Sequence, residues 1–162
     1  MDPRGAQVLL ITHRTPSSAM VHIKDEGSHF DAPLETVWKF VQAPAAHGDS
    51  HHQRNAQMKP ISENSFMVSW EQDMDGKSAK MAQRVTILPP VGMAIEVTEG
   101  PLTGSKFFNY YVGKGNTTEV VVVGEFTDPH IPPAQLTQTV HGMLEMIFKQ
   151  DNEAIKAFAA KK

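Results

Sequence analysis

The sequence predicts an α+β fold: a curved antiparallel sheet of about seven strands, two short helices after the first strand, and a long C-terminal helix packed across the sheet. Three observations carry this. Between Phe66 and Phe126 the chain alternates or runs apolar, broken only by turn residues, which reads as successive β segments. After Pro132-Pro133 the apolar period changes from two to about 3.6 and keeps it to the C-terminus. A helix striped in that way cannot bury its apolar face alone, so it must lie on the sheet that precedes it.

The first strand is read over residues 20–31, from Val21 and Ile23, then His29 and Phe30, with a bend at Gly27. Ala32-Pro33 ends it, and Pro33 suits the first position of a helix. Asp31 is the expected cap, and Glu35 supports the positive end of the helix dipole. Leu34, Val37, Trp38 and Val41 fall at helical spacing, Ala43-Pro44 breaks the pattern, and residues 45–52 form the second short helix. A mostly polar strand over 53–59 follows. In 65–74, Phe66, Val68 and Trp70 share one face, with Ser69 and Glu71 on the other. Asp75-Gly76 is a hairpin turn, since both residues tolerate positive φ.

The returning strand, 78–88, places Met81, Gln83, Val85 and Ile87 on one face and Arg84 and Thr86 opposite. Glu71 and Arg84 are expected to pair across the outer surface. Pro89-Pro90 turns the chain into a half-buried strand, where Met93, Ile95 and Val97 alternate with Glu96 and Thr98. Residues 99–104 are a loop and 106–112 an aromatic strand, in which either Phe107, Asn109 and Tyr111 or Phe108, Tyr110 and Val112 face inward. After a turn at 113–116, the last strand spans 117–127 with Val120, Val122 and Phe126 inward. Gly124 shares that face. A glycine within a strand marks a close approach or a bend, and a bend that wraps the sheet around the helix is expected. The final helix carries Leu136, Val140, Met143, Ile147, Ile155 and Phe158, with His141 and Leu144 widening the stripe and Phe148 extending it. Gly142 interrupts it at about 1 kcal/mol relative to Ala, which suggests tight packing against a neighbour or room left for a guest, with tight packing the preferred reading.

A chain of 162 residues fits one domain, read as 19–162. Residues 1–18 read as a flexible extension: Pro3, Gly5 and Pro16 surround one apolar patch at 8–11, too short for a signal segment or a membrane span. Met20 is a candidate start of translation. A formal charge of -3 gives no basis for nucleic acid or an anionic membrane surface, both of which require clustered cations. Zero cysteines exclude disulfides, thiolate metal sites and a cysteine nucleophile, and fit a cytoplasmic location. Nine methionines supply adaptable apolar surface.

Strand, two short helices, six strands and a long C-terminal helix is an order that resembles the START-like, or SRPBCC, superfamily. The resemblance covers residues 20–162. Its clearest piece is Phe30-Asp31-Ala32-Pro33-Leu34-Glu35-Thr36-Val37-Trp38, similar to that superfamily's entry from strand to helix. Gly115-Asn116-Thr117-Thr118-Glu119-Val120 is similar to its glycine turn and last strand. Both pieces are architectural. The resemblance implies a helix-grip fold with a cavity between sheet and helix, as in polyketide cyclase/dehydratase-like and lipid-transport-like members.

His47 and His51 stand at i and i+4 if 45–52 is helical, a metal-clamping spacing. Without cysteine or an aligned carboxylate, a solvated polar turn is the preferred reading, so neither a metal nor another cofactor is expected. His52 and His141 are the candidate acid–base groups, since imidazole moves protons near neutral pH. Gln83, by parity on the apolar face, needs a polar partner inside. The candidate ligand-binding set is Trp70, Met81, Gln83, Met93, Ile95, Asn109, Tyr111, Phe126, Val140 and Leu144. No nucleophile elbow, phosphate loop, H-E-x-x-H or dinucleotide fingerprint occurs. The leading expectation is binding of a small, mostly hydrophobic molecule. A cyclase/dehydratase-type enzyme in the same cavity is the alternative, and a protein-interaction domain the third.

Overall fold

The computed structural model describes residues 20–43 and 53–161. The expected extension 1–18 and second short helix 45–52, with His47, His51 and His52, lie outside the described residues. Seven strands form one antiparallel sheet: β1 (Met20–Phe30), β2 (Arg54–Pro60), β3 (Ser65–Met74), β4 (Lys77–Leu88), β5 (Gly92–Glu99), β6 (Lys106–Lys114) and β7 (Thr117–Thr127). Their order is β1-β7-β6-β5-β4-β3-β2: a meander from β2 to β7, with β1 added beside β7. The sheet is curved, and α2 (Pro133–Ala160) packs across its concave side. The short helix α1 (Leu34–Val41) follows β1.

Local chemistry sets these boundaries. Met74 pairs with Lys77, so the β3–β4 loop has two residues, and Asp75 and Gly76 take φ of 50° and 76°. That is the left-handed pair a tight hairpin requires. The bend at Gly27 is a register shift between Asp25 and Ser28, with Gly27 at φ 101°. β2 pairs with β3 although every residue in it is exposed; an edge strand needs no apolar face when its partner supplies the ladder.

Three expectations are corrected. Asp31 does not cap α1. Pro33 occupies the cap position without a side-chain bond, which leaves Asp31 two residues upstream. Its carboxylate instead accepts from Asn152 Nδ2 at 2.9 Å, while its N–H donates to Asn152 Oδ1 at 2.7 Å. Glu71 and Arg84 both face outward but stand in different rows. Glu71 is opposite Lys80, and Arg84 is opposite Met67 and Glu96. Gly142 is not tightly packed: among the described residues a Cβ there would meet nothing within 4 Å.

Gly124 follows the close-approach alternative. A Cβ on it would collide with the Phe107 backbone and Cβ on β6. Phe107 lies directly opposite Gly124 and stacks on Phe126 at 4.8 Å between centroids.

The core lies where α1 and α2 cover β1, β6 and β7. Ile23, Phe30, Val37, Val120, Val122 and Leu136 are buried there. The flank of Phe148 meets Phe30 edge-on at 6.0 Å, and Phe158 meets Phe40 of α1 at 5.8 Å. Among the described residues α2 packs mainly along β1, with lesser contact to α1 and β7. The concave surface of β3, β4 and β5 is therefore left half-buried. No helix among the described residues is long and apolar enough to cross a membrane.

Candidate ligand-binding site on the concave face

The aromatic strand resolves in favour of Phe107, Asn109 and Tyr111. Asn109 stands opposite Met93 on β5 and Val122 on β7, so it shares their concave face, while Tyr110 and Val112 are exposed. One row of side chains thus crosses five strands: Ile87, Met93, Asn109, Val122 and Asp25. The next row holds Phe66, Val85, Ile95 and Phe107. Farther along, Gln83 lies between Val68 and Val97, and Trp70 opposite Met81. Phe66, Val68, Trp70, Met81, Gln83, Met93 and Val97 are half-buried. Together they form an apolar wall that solvent still reaches.

At the floor of that wall sits an electrostatic oddity. Asn109 is only 7% exposed, and its Oδ1 has no hydrogen-bond partner among the described residues. A buried amide oxygen without a donor costs roughly 1–3 kcal/mol, so Asn109 Oδ1 is an acceptor that a donor of another molecule could serve. Its position is built in by the backbone: a Cβ on Gly92 would strike the Asn109 carbonyl, so only glycine lets β5 and β6 approach there. Next along β6, the Tyr111 hydroxyl receives a hydrogen bond from Asn109. Burial pushes the Tyr111 phenol up, the negative charge of Asp151 pushes it further, and the Asn109 bond opposes them in part. The phenol stays neutral. Trp38 closes this end, its ring edge-on to Tyr111 at 5.5 Å and its Nε1 donating to Pro90 O at 3.2 Å.

The ten residues expected to bind a ligand divide by depth. Trp70, Met81, Gln83 and Met93 line the half-buried wall, and Ile95, Asn109 and Tyr111 form its buried floor. Phe126, Val140 and Leu144 lie in the closed core between β7 and α2. His141 stands on the flank of α2 above β1, its Nδ1 2.5 Å from Asp25 Oδ2. Sequence reasoning passed over Asp25 and Asp151. The first was legible, because it has the same parity as Val21 and Ile23. The second carries no pattern signal, since it borders the helix stripe.

The opposite, convex face has a shallow hollow of about 400 Å³ lined by Thr86, Ala94, Phe108 and Val123, with Arg84, Glu96 and Lys106 at its margin. It is open to solvent and rimmed by charge. The concave wall, which holds the unpartnered acceptor, is the stronger candidate. Among the described residues no cluster of three metal-ligating side chains occurs.

This architecture is the START-like helix-grip fold, and solved structures similar to the chain carry the same arrangement. The Zhui aromatase/cyclase from a Streptomyces species superposes with a TM-score of 0.67 at 15% identity, over 88% of this chain and 95% of that one. A START superfamily protein from Mycobacterium smegmatis gives 0.66 at 14% identity, over 85% and 97%. The di-domain aromatase/cyclase StfQ of the steffimycin biosynthetic pathway gives 0.69 at 12% identity, over 89% of this chain and 52% of that one. No family model matches the chain, and no curated protein matches it in sequence.

Proposed function

We propose that the concave face binds a small, mostly apolar molecule between β3–β6 and α2. The observation that carries this is the wall of Trp70, Met81, Met93 and Val97, which the described residues leave half-buried where α2 follows β1. Apolar walls with few polar groups are the usual composition of small-molecule sites. The fold shared with aromatase/cyclases and a START protein supports the reading. Methionine-methyl NMR tests it directly. Titration with a neutral apolar probe such as phenylnaphthylamine shifts the Met81 and Met93 methyls saturably and leaves Met146, on the exposed side of α2, unmoved. Shifts that never saturate, or that favour Met146, overturn the proposal.

A second reading, cyclisation or dehydration by acid–base catalysis at the same wall, is favoured by one observation. The negative charge of Asp151 raises the pKa of Tyr111, the residue whose hydroxyl Asn109 hydrogen-bonds. On this reading Asp151→Asn abolishes turnover of a polyketide-like substrate without weakening its binding. Turnover unchanged in that variant rules it out.

A further inference from the structure

Resting on the binding role proposed above, we infer that the ligand presents a neutral hydroxyl to Asn109 Oδ1, as a phenol or alcohol does, and is not a carboxylic acid. The unpartnered atom fixes the polarity of the group it can receive. An amide oxygen accepts and cannot donate, so only an O–H or N–H satisfies it. The Asn109 amide nitrogen donates to the Tyr111 hydroxyl, which leaves the amide oxygen as the acceptor still to be served.

Charge narrows the class further. Among the described residues the side chains beside Asn109 on this face are Ile87, Met93, Ile95, Phe107, Tyr111 and Val122, none of them cationic. Arg84 and Lys106 belong to the opposite face, beside the convex hollow. The negative charge of Asp151 acts on this end of the site, and Asp25, farther along the same row, is already paired with His141. A carboxylate entering here would lose its hydration without gaining a counter-ion, which is strongly unfavourable. A neutral hydroxyl gains a hydrogen bond to Asn109 Oδ1.

Three naphthalene probes separate the possibilities on wild-type protein, read by the Met93 methyl signal and by calorimetry. 2-Naphthol offers a donor, 2-methoxynaphthalene keeps the oxygen but removes the donor, and 2-naphthoate is anionic at neutral pH. The expected order is naphthol tightest, by about fivefold or more over the methyl ether, with naphthoate weakest. Asn109→Leu is expected to bind naphthol and its ether alike. An ether that binds as tightly as naphthol to wild type, naphthoate as the best ligand, or a naphthol preference that survives in Asn109→Leu overturns the inference while the binding role stands. Failure of all three probes to bind overturns both. Should Asn109→Leu not fold, the wild-type series alone decides.

Discussion

His141 and Asp25, separated by 116 positions, meet with the imidazole Nδ1 2.5 Å from the carboxylate Oδ2. The Asp25 side chain is 12% exposed and that of His141 42%, so the contact ties α2 to the concave face of β1 with one partner nearly dry. His141 is therefore held at the sheet's β1 edge. Removing the imidazole strands a largely buried carboxylate, whereas removing the carboxylate leaves a half-exposed histidine that water can serve. His141→Ala is expected to lose about 1–2 kcal/mol and Asp25→Ala less, as measured by urea unfolding. Apolar ligand binding should survive in both. Equal losses would show that the stranded carboxylate does not dominate.

Gly124 and Phe107 make the sharpest steric claim. The β6 backbone and the Phe107 Cβ occupy the space that a methyl group would need, and the Phe107 ring is further pinned against Phe126. Gly124→Ala must push two central strands apart. Overpacking of this kind costs about 1–3 kcal/mol or more, so an unfolding midpoint unchanged in the variant would refute the packing described.

Much of this fold was legible because its signals are local. Asp75-Gly76 sets a two-residue hairpin from its own φ preferences, and Pro133 starts α2 at the position where a missing N–H does least harm. What escaped depends on register, which relates residues far apart. Arg84 pairs by row with Glu96 rather than Glu71 because the strands align residue against residue, and parity alone names only the face. The facing of β6 was undecidable because both of its faces are aromatic: Phe107 and Tyr111 on one, Phe108 and Tyr110 on the other. The orphaned oxygen of Asn109 is a property of three-dimensional neighbours and has no sequence signal.

Gly142 offers the reverse case. It lies within α2, is exposed, and has open space where a side chain would stand. Nothing offsets the helix-propensity penalty of glycine there, so Gly142→Ala is expected to stabilise the protein by about 1 kcal/mol. Thermal unfolding of the variant checks this, and a lowered midpoint would mean that α2 needs the glycine for a contact not visible in the isolated chain.

Tyr111 links the floor of the site to pH. Burial favours the neutral phenol, Asp151 adds to that preference, and the Asn109 hydrogen bond only partly opposes it, so the folded-state pKa lies above the ordinary value of 10.0. A group whose pKa is raised on folding contributes stability that is fully present below the unfolded pKa. That contribution is lost as pH rises through the folded value. Phenylalanine at this position cannot ionise. The stability of wild type relative to Tyr111→Phe is therefore expected to be constant from about pH 7 to pH 9 and to fall once pH passes about 10. Urea unfolding of both proteins across that range measures the difference directly, and each protein's own alkaline losses elsewhere cancel in the comparison. A difference that stays flat above pH 10 would mean that the Tyr111 hydroxyl ionises as freely in the folded protein as in the unfolded chain. That would remove the dry floor on which Asn109 depends.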